Sequence, residues 1–342
     1  MAVTIKDVAA LAGVSTSTVS RVCTGNPSIS KQTRERVRKA MAELGYEASS
    51  SSESQPNQAI NLIAIVLPPS DQTAYENTFY LKAIRGIGQV CNQRQVACTI
   101  ITGTDYDEIL QSIQMLHRSG RTDGFILLYS RKNDMVVDYL YSHGLLYVVV
   151  GKPNEYAKQT ICIDNDNLLA SRDATEYLLN LGHRRIGFLC EKNDYAYSFD
   201  RKSGYQLALL QNDIAPVPEF CVELEGFPTE DTIPLQTLLS REDRPTSFVV
   251  GDDLLAMALE RVCSQMGLTI PGDISVIAFN NSLYVQLASP QLTAVDINSF
   301  QLGYEAANQV INHAENPNLM ATKIVVPHQI LERGSCRRIE EE

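Results

Sequence analysis

From residue 60 onward, short apolar runs alternate with stretches of helical period. The runs are INLIAIVLP (60–68), VACTIIT (96–102), GFILLY (124–129), LLYVVVG (145–151), TICID (160–164), RRIGFLC (184–190), TSFVVGD (246–252), ISVIAFN (274–280) and LTAVDIN (292–298). Most are continuously apolar. That pattern predicts strands covered on both faces, and hence parallel sheets with helices on either side. Nine such strands suit two doubly wound subdomains. No short solenoid repeat is visible.

The first 46 residues follow a different period. Thr4 can cap a helix, with Asp7 three residues on as its capping-box partner and Val8, Ala9 and Ala12 on the inner side. Gly13 closes it, because glycine enters the left-handed conformation cheaply. Ser15 can cap a second helix over 16–23 that turns Val19 and Val22 inward. Gly25 and Pro27 break the chain. Ser30 can cap a third helix, where Val37, Ala40, Met41 and Leu44 follow i, i+3, i+4, i+7 spacing. Residues 48–59, ASSSSESQPNQA, are serine-rich and without apolar period, which reads as a linker.

Charge sharpens this division. The chain of 342 residues carries 40 acidic and 29 basic groups, a net −11. Residues 1–46 run the other way: seven basic groups against three acids give +4 and leave −15 for the rest. A small basic head on an acidic body is the electrostatic outline of a nucleic-acid-binding module. Two short helices joined at Gly13-Val14-Ser15 describe a helix-turn-helix. Its second helix would show Thr16, Ser17 and Arg21 outward, where hydroxyls reach phosphates or base edges and arginine pairs with guanine. Thr4, Lys6 and Ser15 complete the expected DNA contacts.

Other chemistries find little support. There is no G-x-S-x-G, no P-loop and no G-x-G-x-x-G after a strand, so no enzymatic activity is expected. Gly251-Asp252-Asp253 could suggest metal–carboxylate chemistry, but no histidine or further acid stands near it, and ligand binding or helix capping is the better reading. The eight cysteines include no C-x-x-C pair and sit mostly in apolar stretches, as expected for reduced core thiols. The histidines lack metal-ligand spacing, so neither metal nor cofactor is expected. No apolar run approaches the ~18 residues of a membrane helix. Lys6 and Asp7 precede any apolar stretch at the N-terminus, so a signal peptide is not expected either. A cytoplasmic protein without a membrane partner follows.

The pattern TIKDVA…GVS-x-x-TVSRV (4–22) resembles the DNA-binding head of the LacI/GalR family of bacterial regulators. The resemblance runs along nearly the whole chain, through NLIAIVLP, RTDGFILLYS, LGHRRIGFL, DRKSGYQLAL, TSFVVGDDLLAMAL, IPGDISVIAFNNS and SPQLTAVDIN in the family's order. The Asp164-Asn165-Asp166-Asn167 run and VDINSFQLG (295–303) look most like its maltose-type repressors. The resemblance implies a helix-turn-helix head over 1–47, a hinge over 48–60 and a core of the periplasmic-binding-protein type over 61–342. Its two α/β subdomains would take about 61–161 with 293–322, and about 162–292 with 323–342, joined by three crossovers. It implies a homodimer acting on a double-stranded DNA operator under control of a sugar, maltose or a maltooligosaccharide, bound between the subdomains. A pentose, purine or phosphosugar is an alternative effector. A solute-binding transport component with the same body is an alternative of another class, against which the helix-turn-helix speaks. The C-terminal GSCRRIEEE is too short for a tetramer-forming coil.

Open α/β sheets bind ligands beyond the carboxyl ends of their strands. Ser130, Asp164, Asp252 and Asn280 stand at such ends, and Arg201 follows a loop before the helical stretch SGYQLALL. Residue by residue, Asp164, Arg201, Asp252 and Asn280 match effector-contact positions of the family. Asp252 could equally cap the helix that follows it. Tyr75, Phe79 and Tyr129 are the rings expected to stack on a sugar. Replacing Arg201 is expected to spare the fold and abolish the sugar response. Two departures stand out. The family usually shows Asn at position 252 and Asp at 280, so one carboxylate is lost and another gained. The family's hinge pattern of Asn, Ala-Arg and a wedging Leu is replaced by Ser49, Ser52, Glu53 and Gln55, with Pro56 following; Glu53 repels phosphates and no apolar wedge remains.

Overall fold

The computed structural model describes residues 5–15, 18–19, 22, 30–44, 46, 60–69, 77–192, 194–224 and 231–339. The chain divides into two compact units, Met1–Ala59 and Ile60–Glu342.

In the first unit, helix Ile5–Ala12 ends at Gly13, whose φ of +64° is the left-handed conformation that favours glycine. The Ser15 hydroxyl then accepts the N–H of Thr18 at 3.2 Å, and the Ser30 hydroxyl accepts the N–H of Thr33 at 3.2 Å ahead of helix Lys31–Leu44. Each serine thereby satisfies a helix-end donor. Val8, Ala9, Ala12, Val19, Val22, Val37 and Ala40 close into one small core, with Met41 and Leu44 packed against it. Lys6 lies on the first helix. Thr4, Thr16, Ser17, Arg21 and the segment 47–59, including Ser49, Ser52, Glu53, Gln55 and Pro56, lie outside the described residues.

The second unit holds two six-stranded sheets. Lobe one has the order β2 (Ala97–Ile101), β1 (Leu62–Val66), β3 (Gly124–Leu127), β4 (Tyr147–Val150), β5 (Ile161–Asp164) and β11 (Lys323–Val325), all parallel. Lobe two has β7 (Cys221–Leu224), β6 (Ile186–Glu191), β8 (Ser247–Val250), β9 (Ser275–Phe279), β10 (Thr293–Asp296) and β12 (Gln329–Leu331), with β12 alone antiparallel. Cover on both faces explains most of the continuous apolar runs; β2 is the exception, an edge strand on which only Ile101 is buried. On β1, Ile63 and Ile65 enter one buried cluster while Ala64 and Val66 enter another.

Close helix pairs complete each lobe. Helices Thr78–Arg94 and Ser299–Glu315 meet at glycines: a Cβ added at Gly86 would overlap the carbonyl of Phe300, and one at Gly303 that of Ala83. In lobe two, Gly204 of helix Ala196–Gln211 meets the Leu168 carbonyl of helix Asn167–Asn180 in the same way.

The chain passes between the lobes three times, after β5, after β10 and between β11 and β12. The boundaries expected at 293 and 323 fall elsewhere. β10 pairs with β9 in lobe two, and β11 pairs with β5 in lobe one. The boundary expected at 162 shifts likewise, since β5 pairs with β4 in lobe one; pairing of whole strands therefore moves each crossing a few residues on, to 165–166, 297–298 and 326–328.

Candidate functional site

A cavity of about 690 Å³, including its open mouth, lies between the lobes. Asn77, Phe79 and Tyr80 enter it from the start of helix Thr78–Arg94; Tyr129, Ser130 and Lys152 from beyond β3 and β4; Asp164, Asn165 and Asn167 from the end of β5. Lobe two adds Tyr195, Tyr197, Asp200, Arg201, Asp252 and Asn280. The carboxyl ends of the strands thus face one another across it, as the topology requires.

Arg201 is 4% exposed. Its Nε donates to Asn167 Oδ1 at 2.8 Å and its Nη1 to the Gly251 carbonyl at 2.6 Å. The guanidinium lies 4.0 Å from the ring centroid of Phe279 and 4.9 Å from that of Tyr197. Burial lowers its pKa to about 10, which leaves it charged at neutral pH. Arg201 is therefore a strut between strand ends as well as part of the cavity wall. The expectation that its removal spares the fold does not agree with this geometry.

Asp252 fills both of its readings. One carboxylate oxygen caps helix Asp253–Gln265 by accepting the N–H of Leu254 at 2.9 Å. The other accepts from Asn280 Nδ2 at 3.1 Å and, more weakly, from Asn77 Nδ2 at 3.4 Å. Burial, with Asp253 beside it, pushes its carboxyl well above the usual range. The exchange of acid and amide between 252 and 280 now has a simple account. One carboxylate and one carboxamide still meet, and their positions are swapped. Asn280 holds a φ of 65°, which asparagine tolerates better than most residues, and its Oδ1 is buried with no partner among the described residues.

Asp164 accepts from Asn167 Nδ2 at 3.3 Å, and burial raises its carboxyl pKa. The Ser130 hydroxyl is committed to the main chain, donating to the Lys152 carbonyl at 2.5 Å. Phe79 packs edge-on against Tyr80. Tyr129 borders the cavity but is 4% exposed and packs with Tyr106 among the lobe-one core residues, so it offers no open face for stacking. Tyr75 lies outside the described residues. The rings that sequence reasoning missed are Tyr80, Tyr195 and Tyr197; the last two stack at 5.7 Å and 14°.

Among the described residues, both cations of the cavity are engaged. Arg201 is bound as above, and Lys152 pairs with Asp200 at 3.3 Å. The wall thus combines carboxylate and amide groups with flat rings, and its two positive charges already have partners. On one flank Lys82 Nζ donates to the Asn281 carbonyl at 2.5 Å across the lobes, and Thr78 Oγ1 reaches Asp253 at 3.4 Å. On the other, the Ala196 N–H donates to the Ser130 carbonyl at 3.0 Å. Among the described residues no cluster of three or more His, Cys, Asp or Glu could hold a metal, and no helix is long and apolar enough to cross a membrane.

Comparison with known proteins places this arrangement. The profile of bacterial regulatory proteins of the lacI family matches residues 4–49, and that of the periplasmic binding protein-like domain matches 175–336. The HTH-type transcriptional regulator MalR of Staphylococcus xylosus is 35% identical, over 99% of this chain and 99% of its own. The structure of a transcriptional regulator CelR–cellobiose complex is 28% identical, with a TM-score of 0.75 over 98% of this chain and 100% of its own. That of a probable maltose operon repressor, malR, from Staphylococcus aureus is 26% identical, with a TM-score of 0.75 over 83% and 100%. Helix-turn-helix sequence, two-lobed core and full-length similarity agree: the chain belongs to the lacI family of bacterial regulatory proteins, DNA-binding transcriptional regulators and not enzymes.

Proposed function

We propose that this regulator is a cytoplasmic, homodimeric repressor of sugar-utilisation genes, and that a neutral oligosaccharide of the maltose type binds between its lobes. The head, with Thr4, Lys6, Ser15, Thr16, Ser17 and Arg21, contacts a double-stranded operator. Phe79, Asp164, Arg201, Asp252 and Asn280 contact the sugar, joined by Tyr195 and Tyr197 as stacking rings. Tyr75 is retained as a contact from the sequence alone, and Ser130 and Tyr129 as supports.

The observation that carries the reading is the charge state of the cavity. Arg201 and Lys152 are both held by other groups, while buried acceptors such as Asn280 Oδ1 await a donor. Hydroxyls supply donors and acceptors without net charge, and an unmet buried acceptor is costly. A phosphosugar would have to draw Lys152 away from Asp200 or Arg201 away from the strand ends it braces, which a neutral sugar need not do. The similarity to a cellobiose-bound regulator and to a probable maltose operon repressor supports a disaccharide.

The test is a thermal-shift series with maltose, maltotriose, cellobiose, ribose and glucose 6-phosphate. A ligand at a hundred times its Kd stabilises by about 2.7 kcal/mol. Maltose or maltotriose should raise the melting temperature and weaken operator binding in a gel shift. A rise with glucose 6-phosphate alone would overturn the reading. On the DNA side, Arg21→Ala should weaken operator binding by about 1–3 kcal/mol at fixed salt if it holds a guanine.

A further inference from the structure

Tyr195 and Tyr197 belong to lobe two by sequence, yet the segment that carries them is fastened to lobe one. Arg131 and Tyr195 form an antiparallel bridge of main chain, and the Ala196 N–H donates to the Ser130 carbonyl. The Arg131 guanidinium reaches Asp194 at 2.7 Å and lies over the Tyr106 ring, 4.3 Å from its centroid. Tyr106 packs in turn on Tyr129 in the lobe-one core. An exposed ion pair contributes little alone. Here it acts with a main-chain bridge and a cation–π contact on one short segment, and Tyr106 gives the guanidinium a fixed seat. Arg131 itself does not line the cavity.

We infer that Arg131 is a positioning residue of the effector site: from lobe one it holds the aromatic wall of lobe two in place, so the site is complete only when the lobes are closed. The inference rests on the reading of the cleft as a sugar site. Stacked tyrosines suit a ligand with an apolar ring face, such as a pyranose. A ligand gripped by that wall binds the closed arrangement better than the open one, and only such a difference in affinity can shift the balance between them.

The chain contains no tryptophan, which makes a reporter simple to place. Phe199 is 67% exposed and lies near the Lys132 ammonium, on the helix that follows the bridge. In a Phe199→Trp background, Arg131→Ala should raise acrylamide quenching of the sugar-free protein by about a third to a half, the headroom left by a site already 67% exposed, and weaken maltose binding by calorimetry about tenfold. Arg131→Lys keeps the charge without the flat guanidinium and should fall between. Asp194→Ala should weaken maltose binding too, but add little once Arg131 is gone, because the pair acts as one unit. A general loss of stability would not give that non-additivity. Unchanged maltose affinity in Arg131→Ala, or full additivity with Asp194→Ala, overturns the inference even if the parent binds maltose. If the parent binds no maltose, the sugar reading fails for maltose and the quenching arm decides alone: a rise upholds the fastening role of Arg131, and no change overturns it.

Discussion

Arg201→Ala removes a group that the lobe-two strand ends use for support. Two hydrogen bonds from a buried cation are lost, to Asn167 Oδ1 and the Gly251 carbonyl, together with stacking on Phe279 and Tyr197. Hydrogen bonds to charged groups contribute about 1.5–3 kcal/mol each, and a desolvated cation–π contact up to about 2. Against this, desolvating the guanidinium is itself costly, as its lowered pKa records. Water entering from the cavity can also serve the stranded acceptors. The net expectation is about 3 kcal/mol, equivalent to a fall in melting temperature of about 5 °C for the unit Ile60–Glu342, at about 2.1 cal/mol/K of unfolding entropy per residue. Arg201→Lys, which keeps the charge but cannot make the same fork, should lose about half as much. Differential scanning calorimetry without sugar measures both, and calorimetric titration at a temperature where each variant is folded then isolates the binding loss. A melting point for Arg201→Ala within about 2 °C of the parent would show that the guanidinium does not brace the lobe, and the reasoning would fail.

Other expectations are simpler to check. Gly86→Ala should destabilise strongly, because its Cβ meets the Phe300 carbonyl, whereas Gly88→Ala, two residues along the same helix with open space, should stabilise by about 1 kcal/mol; equal melting points would contradict the close packing. Burial lowers the His183 pKa from 6.5 to about 4. The unfolded chain therefore binds that proton first, and stability should fall as pH drops from about 6.5 towards about 4. His183→Gln should flatten that part of a urea-midpoint profile, and an identical slope would remove His183 as the cause. In the linker, Gln55→Leu with Glu53→Arg should tighten operator binding and increase DNA bending in a circular-permutation assay, since unstacking a base step costs a few kcal/mol that an apolar wedge can offset; no gain would mean the hinge works by other contacts.

What the sequence made legible follows burial. Strands covered on both faces appear as continuous apolar runs, so β1, β3, β4, β8 and β9 are visible at once. β7, β11 and β12 are not, because as Cys-Val-Glu-Leu, Lys-Ile-Val and Gln-Ile-Leu they lie at sheet edges and stay partly exposed. At the site, Asp164, Arg201, Asp252 and Asn280 stand where strand ends and motif spacing point. Tyr195 and Tyr197 sit in a polar stretch after β6, with no period to mark them, and enter the cavity through a bridge to a residue 64 positions earlier. Tyr129 fails for a related reason. Being next to a strand end does not say which face a ring takes, and here it turns into the core.

The three passes of the chain between the lobes also set an order of assembly on the ribosome. Lobe one has most of its strands by Asp164, but helix Ser299–Glu315 and β11 come from the other end of the sequence. Until they emerge, Ala83 and Gly86 lack the helix that seals them. At about 5–20 residues per second, the roughly 160 intervening residues take about 8–32 s to synthesise. The head is made first and closes its own small core around Val8, Val19 and Val37. A nascent chain therefore carries the head's closed core well before lobe one is sealed, with an unsealed apolar face exposed throughout that interval.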